Sequence, residues 1–336
     1  MKELAYRSSN QSYLSLLRRL VRPNEQQNGV VIDLFAGCGG LSLGFEAAGF
    51  KTIGYEKEKI YAKTYNSNLS GECIVEMIDS STEYPSADVV IGGPPCQPWS
   101  ETGKNLGSND ERDGFPAFIN CVKQVKPKLF IAENVKGLSF KKNNSYLKHI
   151  ISQFEDLGYS VDSQVLRMSN YGVPQNRERL FIIGRKGKFL FPSHHEKVFS
   201  VRDALGRMAT SHVSKGARYL TPAEDKYIQS YEKKCQLKNS RNLHLDQPSR
   251  TLTCRNLAGS TSDMIRLLMA DGRRRKLRVK EAARLQGFPD WFEFSGNEKQ
   301  AFYQIGQSVP PLFSYQLALS VIEYIQKIDD CAIEAI

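Results

Sequence analysis

The chain has 336 residues, of which 40% are hydrophobic and 24% charged, a composition typical of a globular protein with a core of its own. Its longest apolar runs are far shorter than the roughly 20 residues of a membrane span, and its N-terminus lacks the features of a signal peptide, so we expect a cytoplasmic protein with no membrane partner. The net charge of +10 is by itself a weak indication of a nucleic-acid partner.

Residues 1–190 alternate short β-branched runs with longer amphipathic stretches, which predicts an α/β fold with a doubly wound, mostly parallel sheet. The predicted strands cover residues 30–35, 51–55, 88–92, 128–132, 159–167 and 179–184. The predicted helices between them cover residues 41–48, 58–66, 116–126 and 145–157. After residue 190 the periodicity weakens, which indicates a change of architecture, and a strong helical period returns only at 312–328.

The first motif is the strand GVVIDLF, which leads into the glycine-rich turn AGCGGLSLGF. Gly37 and Gly39 would let a ligand approach the backbone, although Ser42 stands where a dinucleotide fingerprint has its third small residue. Glu56 ends the next predicted strand, and a carboxylate there can accept both hydroxyls of a ribose. This pair indicates a nucleoside cofactor, either NAD or S-adenosylmethionine; a tight turn without a ligand is the alternative.

The second motif, IGGPPCQPWS, follows the strand at 88–92 and contains Cys96. Prolines on both sides stiffen the backbone, so the thiol is presented from a rigid turn at the carboxyl end of the sheet, where open α/β folds bind ligands. We interpret Cys96 as a candidate nucleophile, and Cys73 and Cys121 as small buried hydrophobic residues. A nucleophilic thiol needs positive or hydrogen-bonding neighbours, because a free thiol is only slightly ionised at neutral pH.

The third and fourth motifs supply such neighbours at other strand ends. FIAENVKGL places Glu133 and Asn134 at the end of one strand, and QNRERLFIIG places Arg177 and Arg179 at the start of another. Only the fold can bring these residues close to Cys96. Taken singly, the glutamate and the arginines could equally form a structural ion pair.

The middle of the chain is the most basic part. Residues 191–305 have 21 basic and 12 acidic side chains, so we expect a polyanion to be drawn chiefly there, although a solvated basic surface has the same composition. The basic residues that stand out are Arg273, Arg274, Arg275 and Lys276, with Lys233, Lys234, Arg241, Arg250 and Arg255. The seven cysteines form no CxxC pair and the five histidines no recognised ligand spacing, so we expect neither a metal site nor disulfides.

Together, these motifs resemble those of the cytosine C5 DNA methyltransferase family, in the same order and over nearly the whole chain. DLFAGCGG resembles the family's cofactor loop, GGPPCQPWS its nucleophile loop, ENV its acidic motif and QNRER its arginine motif. LRVKEAARLQGFPDWF and YQIGQSVPP resemble its two closing motifs. The resemblance implies a Rossmann-like, S-adenosylmethionine-dependent methyltransferase with a smaller, irregular, β-rich target-recognition domain.

The resemblance also implies the catalytic roles. Cys96 would add to C6 of a flipped-out cytosine, Glu133 would hold or protonate N3, and Arg179 would hold O2. Arg177 would support Glu133 or the same pocket. Residues 97–114 would form a mobile loop that closes over the base.

The implied cofactor is S-adenosylmethionine, with S-adenosylhomocysteine as the product. Glu56 would bind its ribose, Asp79 would lie on the adenine side, and Pro95 with the segment Gln307-Ser308 would close the pocket. The full implied set is Phe35, Ala36, Gly37, Cys38, Gly39, Gly40, Leu41, Glu56, Asp79, Pro95, Gln307 and Ser308.

From these motifs we expect a catalytic and cofactor-binding domain at 1–190, completed by 306–336. A target-recognition domain would cover 191–275, with sequence recognition around 210–260, and a hinge and motif segment would cover 276–305. The expected function is methylation of duplex DNA by a monomer paired with a separate restriction endonuclease. The alternatives are a tRNA cytosine C5 methyltransferase on the same scaffold and a non-catalytic nucleic-acid binding module.

Overall fold

A central sheet and a set of shorter elements divide the chain into two compact units. The computed structural model describes residues 12–24, 26–95, 113–210, 216–236, 241–259 and 262–334. The larger unit, called the sheet unit below, comprises 22–167, 178–193 and 314–336, and the smaller unit comprises 1–21, 168–177 and 194–313.

The sheet unit is built on seven strands in the order β3-β2-β1-β4-β5-β8-β6, of which β1 to β5 are parallel and β8 is antiparallel to both of its neighbours. The strands are β1 Val30–Leu34, β2 Lys51–Glu56, β3 Glu72–Val75, β4 Val89–Gly92, β5 Leu129–Val135, β6 Ser160–Arg167 and β8 Glu178–Arg185. The central strands β1, β4 and β5 are almost entirely buried, as expected for parallel strands covered on both faces.

Helices cover the sheet and close its core. They are α2 Gly40–Ala47, α3 Lys59–Asn68, α4 Phe115–Val125, α5 Asn144–Asp156 and the long terminal helix α11 Pro311–Glu334. Against β5, Phe118 of α4, Phe130 of the strand and Phe154 of α5 form an aromatic cluster with ring centroids 4.1–6.1 Å apart. A Cβ at Gly44 of α2 would stand 2.3 Å from the backbone nitrogen of Tyr315, so only glycine allows this close approach to α11.

The sequence predicted this architecture well. The six predicted strands and the helices of the sheet unit are present with ends shifted by a few residues, which confirms the doubly wound, mostly parallel fold. The strand β3 was missed because it is a four-residue edge strand in which only Cys73 is buried, so its hydrophobic pattern is too short to recognise.

The smaller unit differs from the β-rich domain that we expected. Its strands are two short pairs, β7 Gln175–Asn176 with β9 Ser249–Arg250 and β10 Arg266–Leu268 with β11 Arg274–Lys276. Its described helices are α1 Tyr13–Leu20, α6 Val201–Leu205, α7 Pro222–Lys234, α8 Cys254–Ala258, α9 Val279–Gln286 and α10 Glu298–Gln307. In the described part of this unit, helix therefore exceeds strand.

Helix-capping sequences explain why the smaller unit contains more helix than expected. The Thr221 side chain accepts a hydrogen bond from the backbone of Glu224, and the Glu224 side chain accepts one from the backbone of Thr221, at the start of α7. Equivalent capping boxes begin α6 and α8. These local signals form helices where the hydrophobic period is weak.

The unit boundaries also differ from those expected. The segment 276–305 and the N-terminal helix α1 belong to the smaller unit, and the chain returns to the sheet unit at residue 314 rather than 306. None of the helices in the described part of the chain combines the length and apolar composition that a membrane span requires.

Candidate active site

The sequence motifs of the sheet unit meet at one edge of the sheet. The parallel strands β1, β2, β4 and β5 end at this edge, and β8, which is antiparallel to β5, begins there. In the ladder, Val135 at the end of β5 pairs with Arg179 near the start of β8. The fold thus places the glycine-rich turn, the start of the nucleophile loop, Glu133 and Arg179 along a common edge.

The glycine-rich turn joins β1 to α2 through unusual backbone conformations. Phe35, Gly37 and Gly39 have φ values of 59°, 58° and 85°, in the left-handed region that glycine adopts most readily. A Cβ at Gly37 would meet open space, so the turn presents bare backbone there. At Gly39 a Cβ would stand 2.7 Å from the ring of Tyr65, so this position is closed by packing.

Glu56 is joined directly to this turn. Its Oε2 accepts a hydrogen bond of 2.9 Å from the backbone N–H of Gly37, and its Oε1 accepts one of 2.9 Å from the N–H of Glu58. Burial raises the pKa of the Glu56 carboxyl above its ordinary value, and these two hydrogen bonds oppose the rise. The structure therefore brings together the two sequence features that indicated a nucleoside cofactor.

The other predicted cofactor residues of the sheet unit have distinct surroundings. Pro95 lies beside the turn: its carbonyl oxygen accepts a 2.9 Å hydrogen bond from Gly114, and a Cβ at Gly114 would crowd both Pro95 and Phe35. Asp79 is exposed, and its Oδ1 accepts hydrogen bonds of 2.7 Å from the hydroxyl and backbone of Ser81, which lower its pKa. The adenine-side role of Asp79 stays a prediction.

Glu133 and Arg179 form a buried ion pair at this edge. Arg179 Nε lies 2.9 Å from Glu133 Oε1, with 14% and 11% of the two side chains exposed. Burial lowers the pKa of the Arg179 guanidinium, and the charge of Glu133 opposes the decrease. The second carboxylate oxygen of Glu133 lies 3.5 Å from where a Cβ of Gly93 would stand. The carboxylate therefore lies against the backbone that follows β4.

Asn134 has a role that the sequence analysis did not assign. Its Nδ2 donates a 2.9 Å hydrogen bond to the carbonyl oxygen of Pro94, and its Oδ1 accepts one from the backbone of Val135. The side chain thus ties the end of β5 to the segment that leads to Cys96. The sequence signal that could have predicted this role is the position of Asn134 next to Glu133 in the ENV motif.

The predicted nucleophile Cys96 and residues 97–112 of the predicted loop lie outside the described residues. The described chain reaches Pro95 on one side and resumes at Asp113, and the hydrogen bond between Gly114 and Pro95 joins the two sides. The role of Cys96 therefore stays a prediction.

Arg177, Gln307 and Ser308 belong to the smaller unit. The buried Arg177 guanidinium donates hydrogen bonds to the carbonyl oxygens of Leu252 (3.0 Å), Gly306 (3.2 Å) and Gln307 (3.4 Å). Arg177 therefore fixes the backbone at the end of α10, immediately before Ser308. The expected support of Glu133 or of the same pocket by Arg177 stays a prediction, and so do the cofactor roles of Gln307 and Ser308.

The turn fits an adenosyl cofactor on two observations. Open space above Gly37 leaves room for a ligand against the backbone, and Glu56 presents its carboxylate from the adjacent strand with both oxygens oriented by backbone N–H groups.

In the described part of the chain, no three histidine, cysteine, aspartate or glutamate side chains are grouped so that they could hold a metal ion.

Two groups of arginines stand out in the smaller unit. Arg275 is fully buried and makes two hydrogen bonds of 2.8 Å to Glu281, and the buried Arg266 lies 2.6 Å from Glu232. Burial lowers the pKa of Arg266 to about 10. Arg274 is also largely buried, beside acidic side chains of α7. The expectation that the run 273–276 attracts a polyanion is therefore wrong for its two central arginines, because acidic partners neutralise them.

The second group is an arginine cluster around one carboxylate. Arg241, Arg250 and Arg255 approach Asp263 at 3.9, 2.9 and 3.6 Å, so three positive charges share one negative charge. Arg250 also donates to the backbone carbonyl of Asp263, whereas 73% of the Arg255 side chain is exposed. We name this group the Asp263 arginine cluster; its excess positive charge suits a polyanion.

Comparison with known proteins gives consistent results. A family model described as C-5 cytosine-specific DNA methylase matches residues 30–323. The Type II methyltransferase M.AplI of Arthrospira platensis is 46% identical over 319 residues, covering 94% of this chain and 92% of that protein. The Type II methyltransferase M.FnuDI of Fusobacterium nucleatum is 33% identical, covering 87% and 94% of the two chains.

Solved structures share the fold. A putative DNA modification methyltransferase encoded within an Escherichia coli prophage superposes with a TM-score of 0.64 at 23% identity, covering 88% of this chain and 99% of that one. The Entamoeba histolytica methyltransferase EhMeth gives a TM-score of 0.69 at 20% identity, covering 89% and 99%. At these identities the two likenesses show the fold.

Proposed function

Because the chain belongs to the C-5 cytosine-specific DNA methylase family, we propose that it transfers a methyl group from S-adenosylmethionine to C5 of a cytosine in duplex DNA through an adduct with Cys96. The enzyme is a DNA cytosine C5 methyltransferase of the restriction-modification type. We propose three parts of this reaction: S-adenosylmethionine as the methyl donor, the covalent adduct with Cys96, and the flipped-out cytosine.

One observation supports the proposed chemistry above the others: the buried pair of Glu133 and Arg179 lies against Gly93, three residues before Cys96. A carboxyl and a guanidinium held side by side can bind the N3 and O2 edge of a cytosine, because the carboxyl meets N3 and the guanidinium donates to O2. A cytosine so oriented has C6 available to a thiol from the neighbouring loop.

In the proposed reaction, the Cys96 thiolate adds to C6 and forms a sulfur–carbon bond. The C5–C6 π pair moves to C4–C5, the C4–N3 π pair moves to N3, and Glu133 protonates N3. C5 thereby becomes a nucleophilic enamine carbon. After methylation a base removes the C5 proton, the C5–C6 double bond re-forms as the thiolate leaves, and N3 returns its proton to Glu133.

S-adenosylmethionine would be held by the glycine-rich turn, with Glu56 accepting the ribose hydroxyls. When bound, it supplies an electrophilic methyl group. Phe35 and Pro95 would border its pocket, since both pack beside Gly114 at the base of the loop.

Duplex DNA offers C5 and C6 of a stacked cytosine only edge-on, so the target base would be flipped out at a cost of a few kcal/mol. The Asp263 arginine cluster would contact the DNA backbone. Its net positive charge and the exposure of Arg255 support this role.

The proposal is tested with the full-length protein, S-adenosylmethionine labelled on its methyl group, and mixed duplex DNA. We expect labelled 5-methylcytosine with the wild-type protein and none with Cys96→Ser, because a serine hydroxyl is far less nucleophilic. Cys235→Ser, which changes an exposed cysteine of the smaller unit, is the matched control and should retain activity. Duplex DNA containing 5-fluorocytosine should form a covalent adduct with the wild-type protein, since fluorine cannot leave as the C5 proton does.

The alternatives predict different outcomes in the same experiment. A tRNA methyltransferase would label tRNA and leave duplex DNA unlabelled. A binding module would retain DNA without labelling it. Retained activity of Cys96→Ser would remove the thiol from the mechanism, whatever the substrate.

A further inference from the structure

A chain of buried polar side chains runs beneath the glycine-rich turn. The Ser42 hydroxyl lies 2.6 Å from Asp33 Oδ2, the Tyr65 hydroxyl donates to Thr52 Oγ1 at 2.6 Å, and the Thr52 hydroxyl donates to Glu46 Oε1 at 2.6 Å. All five side chains are at most 2% exposed. Burying this much polarity is costly unless each group is paired, so these contacts hold one another in place.

The far end of the chain is anchored to the backbone. The Glu46 carboxylate accepts hydrogen bonds of 2.8 Å from the N–H groups of Ser70 and Gly71, in the loop between α3 and β3. Thr52 donates its hydroxyl hydrogen to the Glu46 carboxylate, and Tyr65 donates its own to Thr52. The direction of the hydrogen bonds is therefore fixed as far as Tyr65.

A separate buried pair lies at the start of α2. The Ser42 hydroxyl donates to Asp33 Oδ2 at 2.6 Å. Burial raises the pKa of Asp33 to about 7, and the hydrogen bonds from Ser42 oppose this rise. The titratable groups around Asp33 are Glu56, Tyr65 and Cys73.

Tyr65 transmits this arrangement to the turn. Its ring would be 2.7 Å from a Cβ at Gly39 and 2.9 Å from one at Gly54, so it fills the space directly beneath the turn and the strand β2. Ser42 lies in the first turn of α2, which begins where the glycine-rich turn ends. The hydroxyl chain thus holds the ring under Gly39, and the separate pair of Ser42 and Asp33 holds the start of α2.

We propose that Tyr65, Thr52 and Glu46 form a hydrogen-bonded chain that positions the glycine-rich turn for the cofactor, with Tyr65 as the positioning residue beneath Gly39. This inference rests on the proposed function, because it takes S-adenosylmethionine as the ligand of the turn. Loss of the Tyr65 hydroxyl releases the ring from Thr52 and so from the anchored Glu46 carboxylate.

The test compares Tyr65→Phe with Tyr159→Phe in the full-length protein. Tyr159 is a matched control: it is buried in the same unit, and its hydroxyl donates one hydrogen bond, of 2.8 Å, to the carbonyl of Pro127. Binding of S-adenosylmethionine is measured directly by calorimetry, and kcat and KM are measured with DNA. We expect Tyr65→Phe to raise Kd and KM for S-adenosylmethionine by about tenfold, the loss of one buried hydrogen bond, with kcat at saturation within about twofold.

Tyr159→Phe should leave Kd within about twofold of wild type even where it lowers the melting temperature equally. An unchanged Kd for Tyr65→Phe, or an equal rise for Tyr159→Phe, would overturn the inference. If Tyr65→Phe does not fold, Thr52→Val removes the hydroxyl to which Tyr65 donates and should give the same rise, and an unchanged Kd would overturn the inference equally. Failure of the wild-type protein to bind S-adenosylmethionine would instead overturn the cofactor assignment on which the inference rests.

Discussion

Replacement of Asp33 by asparagine should remove a pH dependence from the stability of the protein. Burial raises the folded-state pKa of Asp33 from 3.8 to about 7, and the hydrogen bonds from Ser42 only partly oppose this. Between these two pH values the folded protein holds a proton that the unfolded chain has released. Stability therefore falls as the pH rises towards 7 and changes little above it.

The size of the effect follows from the shift. At about 1.4 kcal/mol for each pH unit in this window, raising the pH from 5 to 8 should cost the wild-type protein about 2.5 kcal/mol through Asp33 alone. Asparagine does not titrate, and its amide oxygen can accept the hydrogen bond from the Ser42 hydroxyl as the carboxyl does. The free energies of unfolding in urea are measured at pH 5, 6, 7 and 8 for both proteins, so that contributions from all other groups cancel in the difference.

The exposed Asp330→Asn is the control for loss of a carboxylate as such. A wild-type minus Asp33→Asn difference that stays constant within about 0.5 kcal/mol from pH 5 to 8 would refute the reasoning, because it would mean that Asp33 has the same pKa in the folded and unfolded chains.

Further predictions concern the ion pairs and the arginine cluster. Glu133→Gln should lower kcat by about a hundredfold or more, since the amide cannot protonate N3, while Kd for S-adenosylmethionine stays within about twofold by calorimetry; a retained kcat would contradict the assigned role. Arg255→Ala should weaken binding to all DNA sequences and reduce the slope of log K against log salt by about one. Arg202→Ala is the control and should leave the slope unchanged, because Arg202 is already paired with a carboxylate. A loss of affinity confined to one DNA sequence would indicate that Arg255 reads a base instead. Glu281→Leu should destabilise the protein by about 3–5 kcal/mol in urea unfolding, because Arg275 is left buried without its partner, and adding Arg275→Met should recover much of this; simply additive losses would count against the pair.

The sequence allowed the contacts at the sheet edge to be predicted for a physical reason. Parallel strands end at the same edge, so residues that follow separate strands come together even when tens of residues separate them. Glu56 and Gly37 meet in this way, and so do Glu133 and Arg179, the latter pair because β8 runs antiparallel to β5. A motif at a strand end therefore predicts position as well as residue type.

The hydrogen-bonded chain could not be predicted in the same way. Tyr65 lies on a helix, Thr52 lies within a strand, and Glu46 lies near the end of α2, so no motif spacing connects them. Each also has an ordinary explanation in isolation, such as a core tyrosine or a surface glutamate. Their burial to 2% exposure or less follows from how α2 and α3 pack on the sheet, and only the tertiary structure reveals it.

For a related reason, the charge summed along the sequence did not predict where the excess positive charge lies on the surface. The run 273–276 has the highest density of positive charge, yet β11 turns Arg275 inward onto Glu281, and α7 brings Glu232 and Asp225 beside Arg274. Each acidic partner removes one charge from those that a polyanion would meet. In the Asp263 arginine cluster the ratio is reversed, because three guanidinium groups share one carboxylate. The excess charge therefore lies where arginines outnumber their acidic neighbours in space, and the salt dependence of DNA binding should respond to Arg255 more strongly than to Arg274 or Arg275.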